Sequence, residues 1–417
     1  MKNSDKTIFM VDDDIVLCDL LRHAVEKQGY RFECQNRMDG ALDYIRDNHP
    51  DLILLDLHLP DGSGLHLCKD IRANPAVSDT PIFMLTTREF SIEREMALKA
   101  GVTAFIQKPI QTRELISRVE DTLSPTIDIK FWGVRGSTPC ANRENIVYGG
   151  NTSCVQIVLP DTRELLILDA GSGIRNLGNN IIARNKIVNG RIFITHAHWD
   201  HIQGFPFFKP VYIPDNQFDI HLPDQWTGGA KEILSGQMSY TYFPVTPEML
   251  QAKLTYHTQN PRLQDYGHYQ IEFMLSNHPV ATAIYKIHCK GKVIVYCPDN
   301  ELVPEAEGQT VPFKEHLKAF IKDVDVVIHD GQYDREGYPA RRNWGHSAWE
   351  DAAELCKESG VKNLFLTHHD PDSTDATLEG IDCKLEPYRE SFDSIQMVKE
   401  GTVFKMQVTQ QQEQSFG

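Results

Sequence analysis

The stretch Thr195–His201, with the sequence THAHWDH, places three histidines and one aspartate directly after an apolar run. The run Arg191–Thr195 predicts a strand, so these side chains stand on a loop at its end. Imidazole nitrogens and carboxylate oxygens are suitable ligands for Zn²⁺, Mn²⁺ or Fe. Four ligands on one short loop can hardly all face a single ion. We therefore expect two metal ions, with His196 and His198 on one and Asp200 and His201 on the other.

Further ligands must come from later parts of the chain. Three candidates each follow a predicted strand: His278 in LSNHP, Asp299 in VIVYCPDN and His368 in LFLTHHD. Side chains just past neighbouring strands can reach a common edge of a sheet. The distribution of histidines agrees, because only four of the 17 precede residue 195. The second half of the chain is therefore expected to use imidazole for its chemistry.

The sequence around these candidate ligands predicts many strands joined by Gly-rich turns. Strands are predicted at 127–133, 153–159, 165–169, 191–195, 271–276, 281–288, 292–297, 325–328 and 363–367. Helical spacing occurs near 228–238, 312–322 and 347–358. This pattern predicts a mixed α/β domain with layered sheets.

These motifs resemble the metallo-β-lactamase fold over about residues 127–400. The resemblance rests on FWGVRGSTP, YGGNTSC, LILDAGSG, THAHWDHIQGFPFF, HDGQY, WGHS and LTHHDP. It implies an αββα sandwich. It also implies that His196, His198 and His278 bind one metal, that Asp200, His201 and His368 bind the other, and that Asp299 bridges them. Asp169 in LILDAGSG would orient a ligand histidine.

The elements HDGQY and WGHS separate branches of this fold. They resemble the HEAT and HST motifs of the transfer-RNA 3′-processing endonucleases and their cyclic-phosphodiesterase relatives. By this resemblance Asp330 and His346 form a proton-donating pair, and two metal ions clamp the phosphoryl oxygens. The chain has no Gly- and Pro-rich insertion like the arm that holds transfer RNA in those enzymes. The absence disfavours an RNA substrate, and the expected substrates are a cyclic nucleotide, a cyclic ribose phosphate or another small phosphodiester.

The first part of the chain follows a different pattern. Apolar runs at 7–11, 52–55, 81–85 and 103–106 alternate with helical spacing at Ile15–Lys27, Gly64–Ala73 and Thr112–Leu123. Such alternation predicts a doubly wound parallel sheet with any site at the carboxyl ends of its strands. The pair Ser124-Pro125 breaks the last helix. We therefore expect three segments, with a first domain at 1–124, a second at 125–406 and a flexible tail at 407–417.

Acidic residues cluster at the carboxyl edge of that predicted sheet. Asp12, Asp13 and Asp14 follow the first strand and Asp56 follows the second, which favours a Mg²⁺ site. The motifs VDDD, LLDLHLPDGSG, LTT and QKP make residues 7–123 resemble a response-regulator receiver domain. The resemblance implies that Asp56 is the phosphoacceptor, with Mg²⁺ held by Asp12, Asp13 and Asp56. It also implies a switch formed by Thr86, Phe105 and Lys108.

Composition limits the partners of the protein. The 417 residues carry 42 Lys plus Arg against 58 Asp plus Glu, a formal charge of −16. This charge disfavours nucleic acid and anionic membranes as partners. No apolar run reaches the roughly 18 residues of a membrane span, and the acidic start does not resemble a signal peptide, so we expect a cytoplasmic protein. The nine cysteines lack a C-x-x-C pair and are expected to be reduced thiols.

These observations together predict a two-component response regulator with a dinuclear-metal phosphodiesterase output. A sensor histidine kinase would phosphorylate Asp56, and this modification would alter domain packing or dimerisation; a homodimer is left open. The first alternative is a diiron sensor or redox protein on the same fold. Two further alternatives are a non-catalytic interaction protein that keeps the metal site, and a β-lactamase or thioesterase.

Overall fold

The computed structural model describes residues 5–87, 96–160, 162, 164–183, 187–225, 228–259, 262–302 and 312–408. The chain divides into two compact units, Met1–Pro125 and Thr126–Gly417. Within the described ranges, no helix combines the length and the apolar character needed to cross a membrane.

The first unit is built on a five-stranded sheet in which all neighbouring strands are parallel. The order is β2-β1-β3-β6-β7, with β1 at Thr7–Val11, β2 at Arg31–Gln35, β3 at Leu52–Asp56, β6 at Ile82–Thr86 and β7 at Ala104–Gln107. A two-stranded hairpin, β4 (His58–Leu59) and β5 (Gly62–Ser63), follows β3. The doubly wound fold predicted from the sequence is confirmed.

Helices cover both faces of this sheet. They span Ile15–Lys27, Ala41–Asn48, Gly64–Ala73 and Thr112–Leu123. Successive side chains of a strand point to opposite faces, so Phe9 and Val11 enter one buried cluster while Ile8 and Met10 enter the other. The first helix begins after Asp14, whose Oδ1 accepts a hydrogen bond from Leu17 N at 3.0 Å. Among these helices, Ile15–Lys27, Gly64–Ala73 and Thr112–Leu123 have the bounds that the sequence predicts.

The strand β2 and the helix Ala41–Asn48 were not expected from the sequence. In β2, RFECQ, only one of the five residues is fully buried, so its apolar signal is weak. The structure joins Cys18 of the first helix to Cys34 of β2 in a disulfide, with their Cα atoms 6.5 Å apart. The expectation that all nine cysteines are reduced is therefore wrong for this pair, because the missed strand is what brings Cys34 to the helix. The other seven cysteines are free thiols.

The second unit contains two seven-stranded sheets among its described residues. The first sheet has the order β13-β12-β11-β10-β9-β8-β21, and its strands are β8 (Thr126–Gly133), β9 (Cys154–Val158), β10 (Leu165–Leu168), β11 (Asn189–Phe193), β12 (Gln217–Pro223), β13 (Lys253–Gln259) and β21 (Val403–Gln407). The second has the order β14-β15-β16-β17-β18-β19-β20. Its strands are β14 (Gln264–Asp265), β15 (Gln270–Leu275), β16 (Ala283–Cys289), β17 (Lys292–Cys297), β18 (Val326–Asp330), β19 (Asn363–Thr367) and β20 (Ser394–Met397).

The two sheets pack face to face around a shared core. Phe131 and Phe193 of the first sheet lie in one buried cluster with Tyr285 and Phe365 of the second, and the Phe131 and Phe365 rings are 5.5 Å apart. Helices lie outside both sheets, which gives the expected sandwich of mixed sheets. They span Ile174–Ile182, Trp199–Ile202, Ala230–Gln237, Pro312–Phe320, Trp349–Glu358 and Asp375–Lys384, with 3-10 turns at Arg143–Asn145, Phe205–Phe207, Lys209–Tyr212, Pro247–Met249, Tyr338–Arg341 and Glu386–Ser391.

The first two residues of the expected flexible tail are ordered parts of the second unit. The strand β21 includes Gln407, and Val408 is buried, whereas the sequence assigns a tail from residue 407. The pairing of β21 with β8 accounts for this, because Gln407 lies opposite Thr126. Residues 409–417 of the expected tail lie outside the described residues.

Candidate functional site

The carboxyl edge of the parallel sheet collects the residues predicted for the first unit. Carboxylate oxygens of Asp12, Asp13 and Asp56 lie within 4.8 Å of one another. Lys108 Nζ lies 2.7 Å from Asp12 Oδ2 and 3.3 Å from Asp56 Oδ2. Thr86 ends the neighbouring strand β6, and its carbonyl accepts a hydrogen bond from Lys108 N at 2.7 Å.

Charge and burial make this edge suitable for a divalent cation. Burial raises the pKa of Asp56, the charge of Asp12 raises it further, and Lys108 only partly opposes them. One ammonium therefore does not compensate the clustered carboxylates, and oxygen-only ligands suit Mg²⁺. Phe105, the predicted switch aromatic, is half-buried on β7 opposite Met84 of β6.

The loop after β11 carries the first four predicted ligands of the second unit. The strand ends at Phe193, two residues earlier than expected, and a short helix begins at Trp199. This helix turns Asp200 and His201 into the interior, while His198 just before it remains exposed. His196, earlier in the same loop, is also buried, so His198 is the exposed member of the four.

The seven predicted ligands come together as two adjoining groups. One potential ligand atom from each of His196, His198, His278 and Asp299 lies within 4.8 Å of the others, and the same holds for Asp200, His201 and His368. The groups meet at Asp299, whose Oδ1 is 3.0 Å from His201 Nε2 and 3.4 Å from His368 Nε2. Each residue of the set is at or just beyond the end of a strand or on the β11 loop.

The electrostatics of these groups suit metal binding. Burial lowers the pKa of His278 to about 4 and holds the pKa of His196 well below its usual range, so both rings are neutral near pH 7. Burial alone would also lower the pKa of His368, but the charges of Asp299 and Asp200 outweigh it and raise this pKa to about 9. The carboxylates therefore create a field that favours positive charge. The buried His196 Nε2 has no hydrogen-bond partner among the described residues, which fits a ligand atom.

Asp169 supports the second group through His201. Its Oδ2 accepts a hydrogen bond from His201 Nδ1 at 2.7 Å and from Tyr296 Oη at 2.9 Å, and its Oδ1 accepts from Thr195 N at 2.7 Å. The residue is fully buried and adopts a positive φ of 61°. A ring nitrogen held in this way leaves the opposite nitrogen, Nε2, directed to the cluster.

Asp330 and His346 lie together beside the cluster. His346 Nδ1 donates to Asp330 Oδ2 at 2.8 Å, and the His346 ring stacks on the His368 ring at 4.8 Å. Asp330 ends β18 and also accepts from Gln332 N at 2.9 Å and Asn300 N at 3.3 Å. The shorter reach of Asp, compared with the Glu of the related motif, therefore still permits the contact.

Glu301 is a supporting residue that the sequence analysis missed. This buried carboxylate accepts hydrogen bonds from Tyr338 Oη at 2.6 Å, Asn343 N at 2.7 Å and Gly345 N at 2.9 Å. Gly345 in turn accepts from His278 Nδ1 at 3.0 Å. Glu301 thus ties the turn after Asp299 to the segment that carries His346.

Two glycines of the quoted motifs make room for ligand rings. A Cβ on Gly136 would overlap the ring of His368, and a Cβ on Gly345 would overlap the ring of His278. Next to Gly136, Ser137 N donates to Asp200 Oδ2 at 2.8 Å. These contacts explain why the motifs FWGVRGSTP and WGHS stand beside the predicted metal ligands, although neither contributes one of the seven.

Comparisons with known proteins assign each unit to a class. Residues 8–120 match the family model of the response regulator receiver domain, and residues 166–369 match the model of the beta-lactamase superfamily domain. The metallo-beta-lactamase fold protein YhfI from Bacillus subtilis is 18% identical, covering 67% of this chain and 99% of that one, with a TM-score of 0.49. A two-component response regulator from Clostridium difficile is 30% identical, covering 28% of this chain and 95% of its own, with a TM-score of 0.27.

A third structure is the BeF3-activated receiver domain of Klebsiella pneumoniae RstA, which is 29% identical. It covers 28% of this chain and 98% of its own, with a TM-score of 0.27. On the family matches, the chain is a response-regulator receiver domain fused to a metallo-β-lactamase-fold domain. The receiver domain implies a phosphodonor such as a histidine kinase, and the superfamily of the second unit suggests a metal-dependent hydrolase.

Proposed function

We propose that this chain is a two-component response regulator whose second unit is a phosphodiesterase for a small phosphodiester, cyclic diesters included, rather than for a nucleic acid chain. The observation that carries the proposal is the 2.8 Å contact between Asp330 and His346 beside seven converging ligands. A hydrolase that cleaves a phosphodiester needs both a site for metals and a proton donor for the departing alkoxide.

The donor set suits two divalent transition metals, with Zn²⁺ expected and Mn²⁺ or Fe as alternatives. One metal would be held by His196, His198 and His278, the other by Asp200, His201 and His368, with Asp299 shared. When bound, such a pair of metals activates water and neutralises charge on the phosphoryl oxygens. Asp169 and Gly345 hold the Nδ1 atoms of His201 and His278, which fixes the orientation of these two rings.

His346 is the proposed proton donor. Because its Nδ1 donates to Asp330, its Nε2 is the atom that gives a proton to the leaving oxygen. Asp330 fixes the ring and supports a positive charge on it. Asn300 N and Gln332 N in turn hold the Asp330 carboxylate in place.

The first unit is the proposed regulatory input. Asp56 would accept a phosphoryl group from a sensor histidine kinase, with Mg²⁺ held by Asp12, Asp13 and Asp56. Lys108 lies 3.3 Å from Asp56 Oδ2, within reach of oxygens on a phosphorylated side chain. Thr86 and Phe105 are the proposed switch residues on the neighbouring strands.

Hydrolysis of bis(p-nitrophenyl) phosphate tests the enzymatic part of this proposal. The full chain would be reconstituted with Zn²⁺ or Mn²⁺, with the metal content measured alongside. Asp200→Ala, which removes a ligand, should lose both activity and metal, whereas Glu390→Ala on the exposed surface should keep both. A protein that holds two metals and hydrolyses no phosphodiester would refute the proposal. Bound iron with an oxygen-dependent spectrum would instead support the redox-sensor alternative.

A further inference from the structure

A cleft of about 430 Å³ opens beside His346 in the second unit. Its lining combines two carboxylates, Asp370 and Asp372, with the guanidinium of Arg341 and the aromatic side chains of Tyr333 and Trp344. These residues lie outside the seven proposed metal ligands. Because His346 also lines the cleft, a group bound there would lie next to the proposed proton donor.

Negative charge is in excess along this lining. Arg341 lies over the Tyr333 ring, with Cζ 4.8 Å from the ring centroid, and its Nη1 donates to Gly337 O at 3.2 Å. The two carboxylates are half-buried and exposed, respectively, so both can meet a ligand. A second phosphate group would therefore be repelled, while a cation would be attracted.

An unsatisfied polar atom also points to a ligand. Gln332 lines the cleft and is only 6% exposed. Its Nε2 donates to Ser137 Oγ at 3.4 Å, but its buried Oε1 has no hydrogen-bond partner among the residues that the structure describes. A buried acceptor without a partner is costly, and a positively charged group placed against it would offset part of that cost.

The aromatic part of the lining is open to solvent. Trp344 is 60% exposed, although an indole of this size usually packs against other groups. A cleft lined by an indole and two carboxylates is a suitable site for an ammonium group, which aromatic rings and negative charges both attract.

We propose that this cleft binds the departing alcohol of the substrate, and that this alcohol carries a positively charged nitrogen. The inference rests on the proposed phosphodiesterase function and names its substrate class as diesters of amino alcohols. Water adds its oxygen to phosphorus, the bond from phosphorus to the amino-alcohol oxygen breaks, and His346 gives that oxygen a proton. The products are a phosphomonoester and the free amino alcohol.

A pair of diesters that differ only in charge tests this inference. Choline methyl phosphate carries a trimethylammonium group, and 3,3-dimethylbutyl methyl phosphate has a neutral tert-butyl group in its place. The metal-loaded full chain should hydrolyse the choline diester with a kcat/KM about tenfold higher. Phosphorus NMR should show methyl phosphate as the product of both, because the alcohol in the cleft is the one that departs.

Variants assign the preference to the cleft. Asp372→Asn should bring the ratio of the two kcat/KM values close to one. Glu379→Gln removes the same charge from an exposed position in the helix Asp375–Lys384, and it should keep the wild-type ratio. Equal kcat/KM values for the two diesters, or phosphocholine as the product, would overturn the inference while leaving the phosphodiesterase proposal in place.

A binding measurement separates the two proposals if no diester is hydrolysed at all. Ligand-observed NMR would compare choline with 3,3-dimethylbutanol on the metal-loaded protein and on Asp372→Asn. If the wild-type protein binds choline preferentially and Asp372→Asn does not, the cleft assignment is supported although the phosphodiesterase function is refuted. Equal binding of the two alcohols would overturn the cleft assignment as well.

Discussion

The Oδ2 atom of Asp330 lies 2.8 Å from Nδ1 of His346, and both side chains are buried beside the predicted metal-ligand cluster. Asn300 N donates to the same Oδ2 and Gln332 N donates to Oδ1, so two backbone N–H groups hold the carboxylate in addition to His346. The pair joins the end of β18 to the segment before the helix Trp349–Glu358. His346 also shares a group of possible metal-binding atoms with Asp299 and His368, so the Nδ1 contact with Asp330 is what distinguishes it as the proposed acid.

Asp330→Asn should slow the hydrolysis of diesters with alkyl leaving groups by about 100-fold, because the proton donor loses its orientation. Hydrolysis of bis(p-nitrophenyl) phosphate should fall much less, since nitrophenolate departs without a proton. Steady-state kinetics on both substrates, with metal analysis of the same samples, checks this. Equal losses on the two substrates would mean that Asp330 acts on the metals or on stability.

Glu301→Gln should have a weaker effect of the same kind. In the wild-type protein the Glu301 carboxylate accepts hydrogen bonds from Asn343 N and Gly345 N. The amide of Gln keeps the shape of the side chain, but its NH₂ group cannot accept such a hydrogen bond. The segment before His346 should shift, and kcat for alkyl diesters should fall by about tenfold with little change in KM. Glu301→Asp should restore part of this loss.

A purely structural role for Glu301 would give a different result. It would lower thermal stability and reduce activity on alkyl and nitrophenyl diesters equally. Thermal denaturation of the metal-loaded variants, measured beside the kinetics, separates the two cases.

The sequence predicted those residues of the candidate sites that lie in short local motifs. THAHWDH shows its ligands within one loop, and the receiver edge follows from residues at the ends of apolar strands. Glu301 has no such pattern, because its partners are backbone N–H groups about forty residues further along the chain. Strand β12, QFDIHLP, was missed because its Asp and His interrupt the apolar run. Contacts of this kind depend on tertiary packing, which local periodicity does not encode.

Gly136→Ala should reduce metal binding without touching a ligand. The new Cβ would overlap the His368 ring, so this histidine has to move away from Asp200 and His201. We expect the variant to retain about one metal per chain. Gly380→Ala is the matched control, because a Cβ there meets nothing within 4 Å. Metal analysis after dialysis measures the difference, and two tightly held metals in Gly136→Ala would contradict the expected displacement.

Phosphorylation of Asp56 should change either the turnover or the oligomeric state of the chain. The full chain would be treated with a small-molecule phosphodonor and Mg²⁺, then compared with Asp56→Ala by kinetics and by light scattering. Lys108→Ala should blunt the response, since it removes the ammonium 3.3 Å from Asp56 Oδ2. If the phosphorylated protein and Asp56→Ala show the same turnover and the same mass, regulation through Asp56 fails.

His221 should make the second unit sensitive to acid. Its ring stacks between Phe193, at 4.4 Å, and His257, at 4.6 Å, and burial together with the charges of His257 and Arg191 lowers its pKa to about 3. In the unfolded chain the pKa returns to about 6.5. Between these values the unfolded state binds the extra proton, so stability is complete above about pH 6.5 and falls as the pH drops toward 3. His221→Phe keeps the stack and cannot bind the proton, so its urea unfolding midpoint should decline less than the wild-type midpoint between pH 7 and pH 5. The other titrating groups are the same in both proteins, so their effects on the two midpoints cancel. Equal declines of the two midpoints would show that His221 does not cause the acid sensitivity.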